Sequence, residues 1–431
     1  MITTLLQYSL LALVCLTSPA PKKYFISSAS ELKAIRLQPG DTVVLKAGTW
    51  TDQKLELKGN GTEKSPIVLT AAVAGQVRLT GSSTLRIEGK WLVVDGLYFV
   101  NGDPGKEPVI DLRDSSSWCR VTNTAVVSCN PADKTFTTQY MSMHGSHHRV
   151  DHCYFENKTN HGPTLVVWLS EKPNYHRIDH NHFGPRQNLG VNGGETIRIG
   201  TSTWSLYDSY TTVEYNLFEH CDGELEIISN KSCHNTLRHN TFFESQGTLT
   251  LRHGNDAIVY GNTFIGNNVK NTGGIRIIGE RHRVYNNRFY DLKGTGVSAA
   301  ISIIDGMPNS PLNGYYQVKR AQVFGNSIVN CEEALALGIG KREDRYLVPL
   351  DCEIRDNHVL NGNKVVVLAD TLKNLRMEHN FLYRQSSAEI PAGFKIVNPK
   401  SFPDSLQQSY QRALAKQFLE KPVAGTMWKR N

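Results

Sequence analysis

The sequence predicts an all-β protein: a single right-handed parallel β-helix, or solenoid. Three observations support this prediction. A short motif recurs between residues 153 and 380 at steps of 22 to 39 residues. The runs around it are short and rich in β-branched and aromatic residues, and helical periodicity is scarce. Repetition at such intervals is typical of solenoids, in which each turn of chain stacks on its neighbours.

The recurring motif reads apolar, two variable residues, Asn, one residue, apolar. Its first copy has Cys153 in the Asn place, and the other copies carry Asn181, Asn216, Asn240, Asn262, Asn287, Asn326, Asn357 and Asn380. Asn suits a tight turn because it tolerates a left-handed backbone and bonds to nearby backbone groups. We expect each Asn amide to hydrogen-bond to the Asn of the next turn. A set of unrelated loop asparagines would not keep the flanking apolar residues in register.

Both ends of a solenoid need covers. Residues 30–36 form an amphipathic segment that we predict to be a short N-terminal capping helix. The motif fades near residue 385, so we assign 21–385 to the β-helix and 386–431 to an irregular C-terminal tail that packs on it or extends it. Insertions lengthen the step between motifs, and in solenoids such loops often wall a binding groove. They follow Asn181, Asn287 and Asn326.

The composition is that of a globular chain of 431 residues with a formal net charge of +7. A mild positive excess suits a polyanionic partner without requiring one, and we expect no nucleic-acid partner. Residues 1–20 contain an apolar stretch and no charged residue, which predicts a secretory signal peptide. No later stretch is long and apolar enough to span a bilayer. We therefore expect an exported protein, periplasmic or secreted, and favour a monomer.

Seven cysteines follow the predicted signal peptide, and none has the CxxC spacing of a zinc site. Their odd number prevents complete intramolecular pairing. We predict that most are small buried hydrophobic residues. A bridge between Cys221 and Cys233 is the alternative for that pair.

Two glutamates, Glu224 and Glu226, lie two residues apart in a run that we predict to be a β-strand. Because successive strand side chains point to opposite faces, both carboxylates should leave from one face, with Leu225 and Ile227 in the core. Alignment with the runs of neighbouring turns then predicts an outward polar line along one sheet. That line reads Arg198, Glu226, Thr250, Arg276 and Ser302.

These residues could bind a metal ion. Carboxylate and amide oxygens are the ligands that a hard cation such as Ca²⁺ prefers. Asn192, just before the strand of the preceding turn, could add an amide oxygen to Glu224 and Glu226 and leave positions open for a substrate carboxylate. The alternative is that Glu226 forms an ion pair with Arg198, and spacing alone does not separate the two.

Lys231 lies in the turn that follows the strand, where a lysine is usually a solvated charge. A cation and Arg252 beside it would disfavour its ammonium form, and a neutral lysine is a competent general base. Arg252 stays cationic and can hold an anionic group or stabilise developing negative charge. His253 points inward by alternation, so it is a core histidine unless the strand ends at Arg252, which is the interpretation we favour.

Together these groups suit β-elimination on a uronic acid. A cation and an arginine would neutralise the carboxylate, Lys231 would remove the proton from the adjacent carbon, and the leaving oxygen would take a proton from Arg252, water or a tyrosine. A glycoside hydrolase fits less well, because Glu224 and Glu226 are too close for its geometry and Lys231 would have no role. A non-catalytic carbohydrate-binding β-helix is a further alternative.

At these positions the chain resembles polysaccharide lyase family six, the β-helical alginate lyases that also include chondroitinase B. The resemblance rests on four features of residues 192–253. They are Asn192-Gly-Gly-Glu-Thr-Ile-Arg198, the Glu224-x-Glu226 pair, Lys231 seven residues after Glu224, and Arg252-His253.

The resemblance implies a role for each of these residues. It implies Ca²⁺ at Asn192, Glu224 and Glu226, with Lys231 as Brønsted base and Arg252 as Brønsted acid. It suggests substrate contacts from His253 and Arg276, to which the outward line adds Arg198. It also implies alginate as the polysaccharide substrate, with dermatan sulfate as the alternative.

Overall fold

The computed structural model describes residues 20–385, 390–420 and 424–429, so the predicted signal peptide at 1–20 lies outside it except for Ala20. The described chain winds into three long sheets of 14, 12 and 14 strands, which we name A, C and B. Each turn adds one strand to sheet A, then to sheet B, then to sheet C, and neighbouring strands are parallel. The predicted right-handed parallel β-helix is confirmed.

Most strands of sheets A and B beyond the first turns have three residues, whereas sheet C has strands of six or seven residues both near its N-terminal end and again from Glu226 to Ile277. Sheet A comprises Lys23–Ile26, Thr42–Leu45, Ile67–Ala71, Leu92–Asp95, Arg120–Thr122, Arg149–Asp151, Arg177–Asp179, Thr212–Glu214, Thr236–Arg238, Ile258–Tyr260, Arg283–Tyr285, Gln322–Phe324, Glu353–Arg355 and Arg376–Glu378. Sheet B comprises Gly48–Thr51, Val77–Gly81, Leu97–Gly102, Ala125–Val127, Tyr154–Glu156, His182–Phe183, Leu217–Glu219, Thr241–Phe243, Thr263–Ile265, Arg288–Tyr290, Ser327–Val329, His358–Leu360, Asn380–Tyr383 and Phe394–Val397. Sheet C comprises Lys54–Asn60, Thr84–Lys90, Ile110–Leu112, Met141–Met143, Leu165–Val167, Ile197–Ile199, Glu226–Lys231, Gly247–His253, Thr272–Ile277, Ile301–Ile304, Glu333–Ile339 and Lys364–Leu368.

Few helices accompany the sheets. The predicted capping helix is present at Ala29–Ala34, where the Ser28 side chain accepts from the Glu31 amide and Leu32 is buried in the core. The other helices are Asp404–Leu414 and Gln417–Glu420, with 3₁₀ turns at Ser202–Trp204, Gly296–Ser298 and Pro399–Ser401. None of the helices in the described ranges is long and apolar enough to cross a membrane.

The inward side chains of the three sheets form one continuous apolar core along the axis. Its phenylalanines stack from turn to turn with ring centres 4.4–5.3 Å apart; they are Phe155, Phe183, Phe218, Phe242, Phe264 and Phe289. All seven cysteines of the described chain are buried and free. Cys221 and Cys233 are therefore not bridged, and their thiols contact the backbone carbonyls of Phe183 and Ser205.

The asparagines of the motif form the predicted ladder. From Asn181 to Asn357, each side-chain amide donates to the side-chain carbonyl oxygen of the Asn in the next turn at 2.9–3.0 Å, and Asn380 is the last acceptor. One expectation was wrong, because the left-handed residue at this corner is the one before the Asn. It is His180, Tyr215, His239, Gly261, Asn286, Gly325, Asp356 and His379 in successive turns. The Asn is selected by the buried ladder of side-chain amides and not by its own backbone conformation.

The C-terminal tail returns along the outside of the solenoid. Helix Asp404–Leu414 lies against sheet B, where Tyr410 donates to Asp291. Further on, the Trp428 indole donates to the carbonyl of Asn123, 305 residues earlier in the chain. The tail thus packs on both late and early turns of the β-helix.

Candidate active site on sheet C

The outward polar line of sheet C differs from the predicted one at a single turn. Strand pairing gives Arg198, Ser229, Thr250, Arg276 and Ser302. Ser229 therefore occupies the place predicted for Glu226, and the alignment of that strand was wrong by three residues. The strand begins at Glu226, so Glu224 precedes it.

Two irregularities of strand register explain this difference. Glu226 and Ile228 pair with the consecutive residues Thr248 and Leu249, so Ile227 is an extra residue. Leu225, predicted to be in the core, is 37% exposed, whereas Ile227 is buried as predicted. An extra residue in a strand redirects the side chains around it, and such irregularities are frequent next to active sites.

Glu226 is buried at the start of its strand among cationic and polar groups. Its Oε1 lies 3.6 Å from Arg252 Nε and 3.6 Å from Arg276 Nη1. Its Oε2 accepts from the Ser229 hydroxyl. The alternative ion pair between Glu226 and Arg198 is not formed, because Arg198 Nη1 lies instead 4.0 Å from Glu195 Oε1.

Glu224 is positioned by the loop that carries Asn192. The Gly193 amide donates to Glu224 Oε2 at 3.1 Å, while the Asn192 side chain is exposed beside it. This contact requires glycine at two places. A Cβ on Gly194 would lie 2.3 Å from the carbonyl oxygen of Gly223, and one on Gly223 would lie 2.2 Å from that of Gly194. The two loops can thus meet backbone to backbone.

A third carboxylate, Glu195, has no role in the sequence-based prediction. It is buried, and its Oε1 lies 3.5 Å from Lys231 Nζ. Burial, followed by the charges of Glu195 and Glu226, raises the pKa of Glu224 to about 8. Glu195 and Glu226 hold equivalent positions, each two residues before the paired inward residues Ile197 and Ile228. This equivalence was hidden in the sequence because the strand of Glu226 was aligned three residues out of register.

Lys231 and Arg252 flank these acids on adjacent strands. Lys231 ends the strand Glu226–Lys231 and pairs with His253 of the next strand. Asn230 pairs with Leu251, so Arg252 is an extra residue at the end of its strand. This second irregularity turns Arg252 toward Glu226, and the strand continues through His253. The preferred prediction that the strand ends at Arg252 was therefore wrong.

His253 is nearly inaccessible, at 1% exposure, but its neighbours are polar. Its Nδ1 lies 3.3 Å from Arg252 Nη1, and its Nε2 lies 3.2 Å from the Ser202 hydroxyl. Burial, together with the charges of Arg252 and Lys231, lowers the pKa of His253 to about 3. A neutral imidazole can accept from Arg252 and hold its guanidinium in place.

A loop from the insertion after Asn287 covers Arg252. The carbonyl oxygens of Gly314 and Asn313 accept from Arg252 at 2.7 and 3.1 Å. The guanidinium carbon of Arg252 lies 4.2 Å from the centre of the Tyr315 ring. The predicted wall of the groove is thus formed here, and the loop residues that form it were not predicted individually.

Two further arginines on the outward line complete the positive side of the site. Arg276 is only 4% exposed, and its Nη2 donates to the Tyr315 hydroxyl at 3.0 Å. Arg198 lies one turn before Lys231, with its guanidinium carbon 5.3 Å from the centre of the Trp168 ring. Lys231, Arg252, Arg276 and Arg198 therefore share one face of sheet C.

The acids of this face could hold a hard cation. Glu195 Oε2 and Glu224 Oε1 are buried and have no hydrogen-bond partner among the residues that the structure describes, which is unfavourable unless another group meets them. Across the described residues, however, no three acidic, histidine or cysteine side chains close around one point as in a formed metal site. The donor set of carboxylates, with the amide of Asn192 at the edge, is the kind that calcium takes.

The arrangement brings an amine, several guanidiniums and a cluster of carboxylates to one side of a groove. Such a site can bind an anionic substrate and move a proton at a carbon next to a carboxylate. The structure brings together Lys231, Arg252, His253, Arg276, Arg198, Glu224 and Glu226, and it leaves Asn192 exposed beside them.

Comparison with known proteins agrees with this picture. The chain matches the chondroitinase B family model over residues 26–413. No curated protein matches it. The solved PL6 family alginate lyase AlyGC is 39% identical, with a TM-score of 0.84 over 87% of this chain and 53% of AlyGC. This chain therefore spans about half the length of AlyGC.

Two other solved structures match over nearly their whole length. A mannuronic acid specific polysaccharide family 6 lyase from human gut microbiota is 34% identical, with a TM-score of 0.84 over 95% of this chain and 97% of that one. The PL6 family polysaccharide lyase Pedsa3628 from Pseudopedobacter saltans is 27% identical, with a TM-score of 0.75 over 89% and 94% of the two chains. The chain belongs to the chondroitinase B family, polysaccharide lyase family six.

Proposed function

We propose that this protein is a calcium-dependent polysaccharide lyase that cleaves alginate by β-elimination and releases unsaturated uronate oligosaccharides. The observation that carries the proposal is the meeting of Lys231 and Arg252 with the carboxylates of Glu195, Glu224 and Glu226 on one face of sheet C. Two similar proteins support alginate as the substrate: AlyGC is an alginate lyase, and the lyase from human gut microbiota is specific for mannuronic acid.

Lys231 is the proposed base. Its amine ends a strand in the groove and lies beside Glu195, which can balance the ammonium that forms when Lys231 takes a proton from the substrate. Proton abstraction next to a carboxylate is slow unless the charge that develops there is neutralised. Arg252 and Arg276 place two fixed positive charges at this point, both within 3.6 Å of Glu226.

Calcium is the proposed cofactor, held by Glu224 and Glu226 with Asn192, and with Glu195 close enough to take part. When bound, the ion would supply Lewis-acid neutralisation of the substrate carboxylate. The two unpaired oxygens of Glu195 and Glu224, and the raised pKa of Glu224, support a cation at this place. The buried ring of His253 leaves little surface for a substrate. Because its Nδ1 contacts Arg252 Nη1, we assign His253 the role of positioning Arg252.

The choice of polymer is tested with a panel of substrates. Polymannuronate, polyguluronate, alternating alginate and dermatan sulfate are each incubated with the protein, and the ultraviolet absorbance of the new double bond is recorded. We expect cleavage of one or more alginates. Cleavage of dermatan sulfate alone would show that dermatan sulfate, and not alginate, is the substrate. Binding of a polymer without turnover would indicate a non-catalytic carbohydrate-binding β-helix.

Calcium dependence is tested by chelation. We expect chelation to abolish cleavage while the circular dichroism of the β-helix persists, because the core of stacked sheets does not depend on the ion. Readdition of Ca²⁺ should restore the rate. Full activity after exhaustive chelation would remove calcium from the mechanism, and unfolding on chelation would assign the ion a structural role.

We further propose that the protein is exported and acts as a monomer. Secretion of a reporter fused to residues 1–20 tests the export, and light scattering of the purified protein tests the oligomeric state.

A further inference from the structure

Arg186 is a buried cation that lies beside the acids of the site and has no part in the proposed reaction. It is only 3% exposed, and within the described chain its guanidinium donates to carbonyl and hydroxyl oxygens but to no carboxylate. Burial lowers the pKa of Arg186 to about 10, against the opposing charge of Glu195, so the group stays protonated at neutral pH. A buried charge is costly unless polar groups surround it. The positions of those polar groups show which parts of the site Arg186 holds in place.

The guanidinium connects Glu195 to an earlier turn of the β-helix. Nη1 donates to the backbone carbonyl oxygen of Glu195 at 2.6 Å, and Nη2 donates to those of Gly162 and Asn160 at 2.9 and 3.1 Å. A guanidinium is planar, and its donors have a fixed spacing. It therefore sets the distance between the backbone at Glu195 and the segment 160–162.

The segment 160–162 is itself held by a second buried cation. Lys158 is 1% exposed, and its Nζ donates at 2.9 Å to the carbonyl oxygens of Asn160 and His161 and to the side-chain oxygen of Asn160. All three donors of the ammonium are thus used within this segment. Arg186 bonds to a segment that Lys158 already fixes, and of these two cations only Arg186 bonds to Glu195.

Arg186 also lies against the residues that position Glu224. A Cβ on Gly223 would lie 3.0 Å from Cδ and Nε of Arg186, so the arginine packs directly on the backbone before Glu224. The Gly162 amide donates to the Gly193 carbonyl oxygen at 2.8 Å, and the Gly193 amide donates to Glu224 Oε2 at 3.1 Å. The guanidinium, which binds the Gly162 carbonyl, thus reaches Glu224 through Gly162 and Gly193.

We propose that Arg186 is a positioning residue of the acid cluster, which contacts neither the substrate nor the cation. Its guanidinium holds the backbone of Glu195 and Gly193, so that the carboxylates of Glu195 and Glu224 are in place before a cation binds. Without it, the two carboxylates would move apart because like charges repel, and the ion would have to order the loop as it binds. Groups that orient metal ligands contribute about 10- to 100-fold to metal affinity. The effect on calcium rests on the proposed function.

The calcium affinity of the metal-free protein is the first test. Arg186→Met removes the guanidinium and keeps an unbranched side chain in its place, and Lys158→Met is the matched control because it removes the neighbouring buried cation. Titration calorimetry of Ca²⁺ into chelator-treated protein at pH 8 should show an affinity at least about 10-fold weaker in Arg186→Met and within about threefold of the wild type in Lys158→Met. An unchanged affinity in Arg186→Met, or an equal loss in both variants, would overturn the inference.

Arg186→Lys separates geometry from charge. It keeps the positive charge but has no planar fork that binds Glu195 and Gly162 at once. We expect it to lose calcium affinity nearly as far as Arg186→Met and to keep the circular dichroism of the wild type, so it also serves as the test if Arg186→Met does not fold. A wild-type affinity in Arg186→Lys would show that only the charge is needed, and the positioning role would be wrong.

Hydrogen exchange in the absence of metal gives a readout that does not depend on the proposed function. The amides of Gly193 and Thr164 donate to Glu224 Oε2 and to the carbonyl oxygen of Glu195. Measured by mass spectrometry, both should exchange at least about 10-fold faster in Arg186→Met than in the wild type, and at the wild-type rate in the control. Unchanged exchange in Arg186→Met would contradict the inference. If the wild-type protein bound no calcium, the calcium-dependent function would fail, and the exchange rates alone would decide the role of Arg186.

Discussion

The carboxyl group of Glu224 should make calcium binding depend steeply on pH. Its pKa is raised to about 8, first by burial and then by the nearby charges of Glu195 and Glu226. Metal ions bind the ionised carboxylate, so below pH 8 the ion must displace a proton from Glu224. Calcium and the proton therefore compete for one side chain.

The size of this competition follows from the position of the pKa. At pH 8 about half of the Glu224 carboxyl groups are ionised, and at pH 6 only about one in a hundred is. The apparent calcium affinity should thus be about 50-fold weaker at pH 6 than at pH 8, which corresponds to roughly 2.3 kcal/mol. Above pH 9 the affinity should level off. Glu224→Gln resembles the protonated carboxyl in shape, so it should bind calcium weakly at every pH in this range and with little slope.

Isothermal titration of Ca²⁺ into chelator-treated protein at pH 6, 7, 8 and 9 measures this slope. The comparison needs the wild type, Glu224→Gln, and the control Glu63→Gln, whose side chain is exposed in a turn far along the chain. A wild-type affinity that is constant from pH 6 to pH 8 would refute the reasoning. A slope that is equally steep in Glu224→Gln would assign the competing proton to another group.

The same shift has a consequence for the metal-free protein. A carboxyl group whose pKa is raised on folding holds its proton between about pH 4.5 and pH 8 in the folded state and releases it on unfolding. The free energy of unfolding should therefore fall as the pH rises through this window. Glu224→Gln should reduce that fall, and urea denaturation at pH 5 and pH 8 in the presence of a chelator would show it.

Three substitutions extend the test to the base, the arginines and the fold. Lys231→Ala should lower kcat by at least about 100-fold while oligosaccharide binding persists. The control Lys64→Ala, at an exposed turn, should have normal kcat. A near-normal kcat of Lys231→Ala would exclude Lys231 as the base. Arg276→Ala should raise KM and lower kcat together, because Arg276 contacts both Glu226 and Tyr315, and steady-state kinetics with an unchanged KM would exclude it from substrate binding. Asn240→Ala should lower the free energy of unfolding by about 3 kcal/mol, since it leaves buried ladder groups unpaired, and urea denaturation would contradict this with a loss below about 1 kcal/mol.

The β-helix could be predicted because its signal is repeated. Each copy of the motif after the first, which has Cys153, places an Asn between two inward apolar residues, so a departure in one copy does not hide the pattern. The ladder from Asn181 to Asn380 and the stacked phenylalanines follow from the same repetition. Even here, the left-handed conformation was assigned to the Asn instead of the residue before it, because both positions belong to the same tight turn.

The site was predicted by residue type and only in part by position. Lys231, Arg252 and Glu226 meet as expected, yet the register of the strand Glu226–Lys231 was wrong by three residues. Alternation alone cannot detect an extra residue such as Ile227, since the pattern of a shifted strand is equally regular. Tyr315 could not be predicted, because loop conformation and not a repeat brings its ring to Arg252. The same is true of Arg345, whose guanidinium packs on the Tyr315 ring.

Departures from the repeat also connect the two catalytic candidates, Lys231 and Arg252, which lie at the ends of adjacent strands. Asn230 occupies an inward position in which neighbouring turns carry Ile199 and Leu251. Its side chain is fully buried and donates to the carbonyl oxygens of Ser232 and His253. A polar side chain in an apolar column costs stability unless it is fully bonded, and here the bonds tie together the ends of two adjacent strands. Lys231 directly follows Asn230, and Arg252 directly precedes His253. The Asn230 side chain therefore connects the backbone next to both functional residues, at a single polar interruption of the apolar column, which continues with Leu251 and Ile277.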